Sequence, residues 1–448
     1  MHAVSLSPAR RAALTALARI RRDGAYSGAA LNTTLTESRL TGSDGAFATR
    51  LLYGTVTYEG VIDDMLAGLV SGRLEPQVRD VLRMAVYELL LGDSPAYAII
   101  DQAVGAVRSI RPQAAGLANA VLRRCAERRE TFPWGDPASD RDALGRATGH
   151  PRWIVDLFLD TYGDDVGGAA LRSGAHPAPT FVRLDPFAVS RDDALATLEA
   201  AEPTPVPIDE DCFELTHPAM VLGRPHEGFF AMDAAAQMAP AACAPAGGMA
   251  ILDVGAGRGN KTIAVQSIAM RTGAPALITA LDVHPGKSAA LERRIAASRV
   301  PEVRILTGDA LELEDAVAGE SYDAVLLDAP CTGLGTLRRY PEKRWRLDAA
   351  DPGRMARLQD ALLAASARVV RPGGCVVYST CSVAPVENTG VVERFLRSAS
   401  GATFVIEPVT DRVPEGWKHF VDTSGQFQSL PATDGPDGHF VAVLRRDR

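Results

Sequence analysis

Two cysteines frame the chemistry this chain could perform. Cys331 lies in YDAVLLDAPC and Cys381 in GCVVYSTCS, each just past an apolar run with the length and composition of a buried strand. A lone buried cysteine is most often core filling. Two at the ends of neighbouring strands, on one edge of a sheet, are a candidate nucleophile and its helper. A free thiol is only a few per cent thiolate at neutral pH, so nucleophilic work requires local assistance. Cys375 lies early in its run, away from that edge, and is read as core. The six cysteines contain no Cys-x-x-Cys, and the eight histidines do not join them at zinc spacing, so no metal site is expected.

Carboxylates mark the other apolar runs. AILDV carries Asp253, ITALDV carries Asp282, VRILTG is followed by Asp309, and YDAVLLD ends in Asp328. Asp253 leads into Gly255, Ala256, Gly257, Arg258, Gly259, Asn260, Lys261 and Thr262. This loop is two near misses. A phosphate loop, G-x-x-x-x-G-K-[ST], and a dinucleotide fingerprint, G-x-G-x-x-G, both need glycine where Asn260 stands. What remains is a turn whose backbone can approach a ligand closely, with Asp282 spaced to meet ribose hydroxyls. A cleft lined by acids suits S-adenosyl-L-methionine, which carries a sulfonium and an ammonium, better than a polyphosphate. For any one acid the plainer reading is a cap or turn residue, Asp253 and Asp309 above all.

Methyl transfer to an amine or hydroxyl needs no cysteine. Carbon 5 of a pyrimidine does, because it is a poor nucleophile until a thiolate adds at carbon 6. A base must then take the carbon-5 proton so that the thiol can leave, and a carboxylate near N3 favours the electron shift.

The elements that position these groups follow from periodicity. From residue 246 onward strand and helix alternate, which predicts a Rossmann-like α/β domain (246–448) with a doubly wound, mainly parallel sheet and its ligand beyond the strand ends. Residues 151–245 read as a small α+β segment, with strands near 180–186 and 211–217. Residues 1–135 show apolar positions at spacings of three and four and read as an all-α bundle. TFPWGDPASDRDALGRATGH (131–150) reads as a linker. Net charge is −8, yet residues 1–130 hold sixteen Arg against thirteen Asp and Glu, a mildly basic arm on an acidic body. Neither a membrane span nor a secretion signal is apparent, so a cytoplasmic location is expected, with monomer as the default for the oligomeric state.

At these residues the sequence resembles the RsmB/Sun family of RNA cytosine-5 methyltransferases over nearly its full length. LLDAPCTGLGTLRRYPEKRWR (326–346) resembles the family's DAPC motif. GRMARLQDALLAASARVVRPGGCVVYSTCSVAPVEN (353–388) resembles its L-x-x-L-Q helix, P-G-G turn and TCS-x-x-x-x-EN motif. DGHFVAVLRR (437–446) is similar to its closing DGFF strand, and DAAAQMAP (233–240) to its QDxxAQ segment, with Met232 in place of Gln. YGTVTYEGVIDDML, VRDVLRMAVYELL and GLANAVLRR resemble a NusB-type RNA-binding domain.

The resemblance implies a Rossmann-like methyltransferase fold, S-adenosyl-L-methionine as cofactor, and a cytosine of small-subunit ribosomal RNA as target. It implies Cys381 as nucleophile, Cys331 in product release, and Asp328 between cofactor and base. The cofactor would lie on Gly255, Ala256, Gly257, Arg258, Gly259, Asn260 and Lys261, with Asp282 at the ribose and Asp309 at the adenine. In DNA cytosine methyltransferases the Pro-Cys cysteine attacks, so spacing alone leaves Cys331 open as the nucleophile. The family loop usually reads CAAPGGKT and here reads GAGRGNKT. Asn after Gly tolerates a left-handed backbone, which would preserve the turn, while Arg258 bears on affinity or rigidity. Arg338, Arg339, Arg344, Arg123 and Arg124 are candidate phosphate contacts. The competing readings are a non-catalytic RNA-binding assembly factor with a degenerate pocket, and a nicotinamide dehydrogenase, which leaves both cysteine motifs without a use.

Overall fold

The computed structural model describes residues 6–222, 228–432 and 435–447. The spans expected at 1–135, 151–245 and 246–448 each run over some residues outside these. The chain forms two compact units, Met1–Pro177 with Leu337–Ala349, and Ala178–Thr336 with Ala350–Arg448.

The first unit is helical. Its helices include Pro8–Asp23, Gly42–Thr57, Pro76–Leu91, Ala96–Ile110 and Ala115–Glu127. Ser7 caps the first of these by accepting from the Arg10 amide. Leu52, Leu82, Val86 and Leu122 fill the interior at helical spacing. Arg10 and Glu88 form a buried ion pair, each satisfying the other's charge.

The 131–150 stretch is not a free linker. Asp140 caps a helix at Arg141–Thr148, left-handed Gly149 ends it, and a further helical run follows at Arg152–Gly174. The composition of this stretch suggested a boundary, but its capping signals build helix, and the helical unit extends to residue 177.

Residues Leu337–Ala349 complete this unit from the far side of the sequence. Glu342 accepts from Ser27 Oγ (2.6 Å), and Trp345 Nε1 donates to the carbonyls of Val56 and Thr57 (both 3.1 Å). A Cβ on Gly60 would lie 2.2 Å from the Trp345 ring, so only glycine admits the indole there. Arg344 is wholly buried and donates to Leu337 O and Gly174 O, and Arg338 is buried beside Ser173. Both are therefore withdrawn as phosphate contacts. Burial lowers the Arg344 guanidinium to about 10. Arg123 and Arg124 are exposed, and Arg339 is partly so.

The second unit holds two sheets. The smaller is antiparallel, β1 (Thr180–Leu184), β2 (Pro203–Pro205), β3 (Cys212–Leu215) and β4 (Phe229–Ala231), in the order β2-β3-β1-β4. The larger contains β5 (Ala250–Val254), β6 (Leu277–Asp282), β7 (Val303–Thr307), β8 (Tyr322–Asp328), β9 (Val370–Thr380), β10 (Phe404–Glu407), β11 (Phe427–Gln428) and β12 (Phe440–Arg446). Its order is β10-β12-β9-β8-β5-β6-β7, with β11 on β12. β5 to β9 are parallel, and β12 runs antiparallel to β9 and β10.

Alternation along each strand builds a core on either face. Leu252, Val254, Val325, Leu327, Val376 and Tyr378 pack with helices Asp351–Arg368 and Thr389–Leu396. Ile251, Ala324, Leu326, Cys375 and Val377 pack with Met238, Ala239, Val265 and Ala269. Cys375 is thus core, as expected. The strand order reverses between β5 and β8. That reversal opens a crevice beyond their carboxyl ends, where ligands of such sheets bind.

Candidate functional site

The loop after β5 is a run of left-handed glycines. Gly255, Gly257 and Gly259 have φ of 80°, 59° and 84°. A Cβ on Gly255 would lie 2.9 Å from Asp328 O, and one on Gly259 only 2.2 Å from Leu291 Cδ1, so bare backbone is required at both. Gly259 forms the entry to the helix Asn260–Met270. The left-handed residue is therefore Gly259, and Asn260 begins the helix. The expectation that Asn260 itself tolerates a left-handed backbone is corrected.

Asn260 instead works through its side chain. Arg294, from the helix Pro285–Ser298, donates to Asn260 Oδ1 and to Arg258 O (3.1 Å). Its guanidinium lies 4.4 Å from the centre of the Phe230 ring. Two of the four positions that differ from CAAPGGKT, Arg258 and Asn260, are thus gripped by one arginine. Arg258 keeps its own side chain exposed.

Two acids brace this loop. Asp282, at the end of β6, accepts from Gly257 N (3.1 Å) on Oδ2 and from His284 N (2.9 Å) on Oδ1. An ionised carboxylate has further acceptor capacity for a ligand hydroxyl. Asp253 is buried, accepts from Thr262 Oγ1 (2.6 Å), and leaves Oδ1 without a hydrogen bond among the described residues. Burial pushes its carboxyl up to about 6. Asp309 is exposed and accepts from Leu311 N (2.9 Å), capping the turn at 310–312 as the plainer reading had it.

Asp328 and Lys261 join this loop to the cysteine end. Lys261 Nζ donates to Asp328 Oδ2 at 2.5 Å. Burial works against the ammonium, but Asp328 above all, then Cys381 and Asp253, more than offset it, and its pKa is raised. Cys331 follows β8 and Cys381 follows β9, and their sulfurs approach to 3.3 Å. Neither is in a disulfide, and both are partly exposed, whereas the other four cysteines are buried. The structure therefore brings together Lys261, Asp328, Cys331 and Cys381. Asp309 has no contact with this group that the structure records.

The sequence reading gave no role to Arg294, Glu387 or Asn388. Arg294 carries no local mark, since it sits in an ordinary Glu-Arg-Arg helical run. Glu387 and Asn388 are wholly buried beneath the two cysteine loops. The signal for them was their place in the TCS-x-x-x-x-EN run.

These residues suit an S-adenosyl-L-methionine cofactor. The Gly255 and Gly259 turn leaves a backbone cradle that Cβ atoms would disrupt, and Asp282 retains acceptor capacity beside it. Among the described residues no helix is long and apolar enough to cross a membrane.

A model of the 16S rRNA methyltransferase RsmB/F family matches residues 240–445, and a NusB family model matches residues 7–127. The chain is 32% identical to a putative methyltransferase of Mycobacterium tuberculosis, over 98% of this chain and 97% of that protein. It is 30% identical to a probable ribosomal RNA small subunit methyltransferase B of Synechocystis, over 98% and 99%. The crystal structure of PH0851 shares the fold, with a TM-score of 0.83 over 99% of this chain and 100% of that one, at 23% identity. The chain belongs to the RsmB/F family of S-adenosyl-L-methionine-dependent rRNA methyltransferases, in the branch that carries a NusB-family domain.

Proposed function

We propose that this protein methylates carbon 5 of a cytosine in small-subunit ribosomal RNA through a covalent adduct between Cys381 and carbon 6 of the base. The observation that carries the reading is the 3.3 Å approach of the Cys331 and Cys381 sulfurs at the ends of adjacent strands. Methylation of an exocyclic amine or a ribose hydroxyl leaves such a pair without work. Carbons 5 and 6 are bonded neighbours, so groups acting on each must themselves be neighbours.

Cys381, as thiolate, adds to carbon 6, and charge moves into the ring toward N3. The Asp328–Lys261 pair faces that charge, with the ammonium kept protonated by its carboxylate partner. Gly255 to Lys261 and Asp282 would hold S-adenosyl-L-methionine, which would supply an electrophilic methyl group to carbon 5 and leave as S-adenosylhomocysteine. Cys331, having lost its own proton to solvent, then accepts the carbon-5 proton as a thiolate; the carbon-5 electrons restore the ring double bond as the bond between carbon 6 and Cys381 breaks and Cys381 leaves as thiolate. In this reading Asp309 is the adenine-side residue, and the helical unit contributes RNA affinity.

The test is a pair of substitutions with undermodified small-subunit RNA and cofactor. Cys331→Ala is expected to accumulate a protein–RNA adduct on denaturing gels. Cys381→Ala is expected to form none and to lose methyl transfer by at least about 10⁴-fold. The reverse gel pattern exchanges the two roles. Absence of carbon-5 label with the parent protein, on naked RNA and on subunit precursors alike, refutes the reading.

A further inference from the structure

We propose that Glu387 is a positioning residue that sets the separation of the two cysteines by holding the residue after each. Its catalytic consequence rests on the two-cysteine reading above, while its geometric content stands apart from it.

The Glu387 carboxylate is wholly buried and receives four hydrogen bonds. Oε1 accepts from Thr332 N (2.9 Å) and Gln359 Nε2 (3.1 Å). Oε2 accepts from Ser382 Oγ (2.5 Å) and from Thr332 Oγ1. Thr332 follows Cys331 and Ser382 follows Cys381, so one carboxylate grips both loops. Gln359 also donates to Pro330 O (2.9 Å), which fixes Cys331 from its other side. Asn388 does the same for Cys381, accepting from Thr380 Oγ1 (2.6 Å) and donating to Ser382 O (2.9 Å). Glu387 is itself tethered, because Tyr378 OH donates to its carbonyl (2.6 Å).

A carboxylate suits this place because it only accepts. An amide would turn an NH₂ toward a donor, and aspartate would fall one methylene short. The Thr332 and Ser382 hydroxyls each have one hydrogen and spend it on Glu387. The two hydroxyls also lie 3.3 Å from each other, and both act as struts between the loops and Glu387. The step in which Cys331 and Cys381 act on adjacent ring atoms requires both sulfurs in register at once, and a shift of ~1 Å in either loop is enough to cost about 10²-fold.

The experiment uses the full chain and the variants Glu387→Gln and Ser382→Ala, the second keeping the carboxylate and three of its donors. The first readout is the rate at which diamide joins Cys331 to Cys381, read by peptide mass. Two thiols give up two protons and two electrons, and the diazene is reduced to its hydrazine. No RNA or cofactor is present, and the other four cysteines are buried. The second readouts are calorimetric affinity for S-adenosyl-L-methionine and methyl transfer to RNA.

Glu387→Gln is expected to slow disulfide formation by about tenfold or more and Ser382→Ala by about threefold. Turnover falls in the same order, while cofactor affinity and the KM for RNA stay within twofold. An unchanged disulfide rate in either folded variant overturns the proposal. So does cofactor affinity that falls in step with the disulfide rate, the sign of a general loss of structure. A slowed disulfide rate, in a protein whose parent transfers no methyl to cytosine, supports the positioning role and refutes the two-cysteine reading instead.

Discussion

The glycine loop and the cysteine loops end neighbouring strands of one sheet, and they are supported in two different ways. The glycine loop differs from the CAAPGGKT pattern at four positions, Arg258 and Asn260 among them. It is held by an arginine from the next helix, reaching one backbone carbonyl and one side-chain oxygen. The cysteine loops are held from beneath by a buried carboxylate with four donors. The difference follows from what each must hold. A backbone cradle needs only a shape, and several side chains can brace the same shape. Under the proposed mechanism, two thiols that reach bonded neighbours in one ring need fixed positions.

Lys261 lies where the two regions meet, and its substitution tests the boundary most severely. Lys261→Met keeps most of the aliphatic stem and removes the ammonium from Asp328. Under the proposed mechanism, the carboxylate then faces the developing negative charge alone. Turnover and the rate of adduct formation are expected to fall by about 10²-fold, within the range for a positioned proton donor. The helical signature by circular dichroism should stay unchanged. Turnover within threefold of the parent would reduce Lys261 to a counter-ion and separate the two regions functionally.

Arg294 tests the glycine loop alone. Arg294→Met removes both of its hydrogen bonds to the loop. Bonds to a charged donor contribute about 1.5–3 kcal/mol each, and a loss of about 1.4 kcal/mol weakens binding tenfold. The Kd for S-adenosyl-L-methionine is expected to rise by about tenfold, measured by calorimetry. Turnover at saturating cofactor and the diamide rate of the cysteine pair should stay within twofold. Asn260→Gly restores the family's residue but removes one of the two anchors, and an intermediate Kd is expected. A large fall in turnover with unchanged Kd would show that Arg294 acts on the cysteine end, and the two-support comparison would fail.

The parallel strands were legible because each is a short apolar run with a carboxylate or cysteine at its end. β10 was not legible. It has four residues, lies at the sheet edge, and leaves Val405 52% exposed, so it lacks a buried pattern. The helix Arg141–Thr148 carried readable signals, Asp140 at its start and Gly149 past its end, but the surrounding Pro and Gly outweighed them. Arg338 and Arg344 read as surface charge, because sequence does not reveal that Gly174 O and Ser173 Oγ wait as partners more than 160 residues away. Arg294 and Glu387 share that difficulty. Each acts through partners distant in sequence or through a loop whose shape must be known first.

The smallest effect on turnover is expected at Asp253, which underlies the glycine loop without touching the cysteines. Burial raises its carboxyl from 3.8 to about 6 in the folded chain. The native state therefore binds the proton more tightly than the unfolded chain, and stability falls as pH rises between these values. Asp253→Asn carries no charge at any pH and can still accept from Thr262. Its amide would bury an NH₂ where Oδ1 now has no partner among the described residues, at a cost of about 1–3 kcal/mol. That cost is the same at every pH, so it drops out of the pH dependence. The stability of the variant relative to the parent is expected to increase from about pH 4 to about pH 7 and then level off, by ~1–3 kcal/mol in all. Denaturant midpoints at the two pH values measure it. A flat difference would mean that Asp253 titrates alike in the folded and unfolded chain. A fall in turnover larger than the change in cofactor Kd would mean that the glycine loop and the cysteine loops are not held independently.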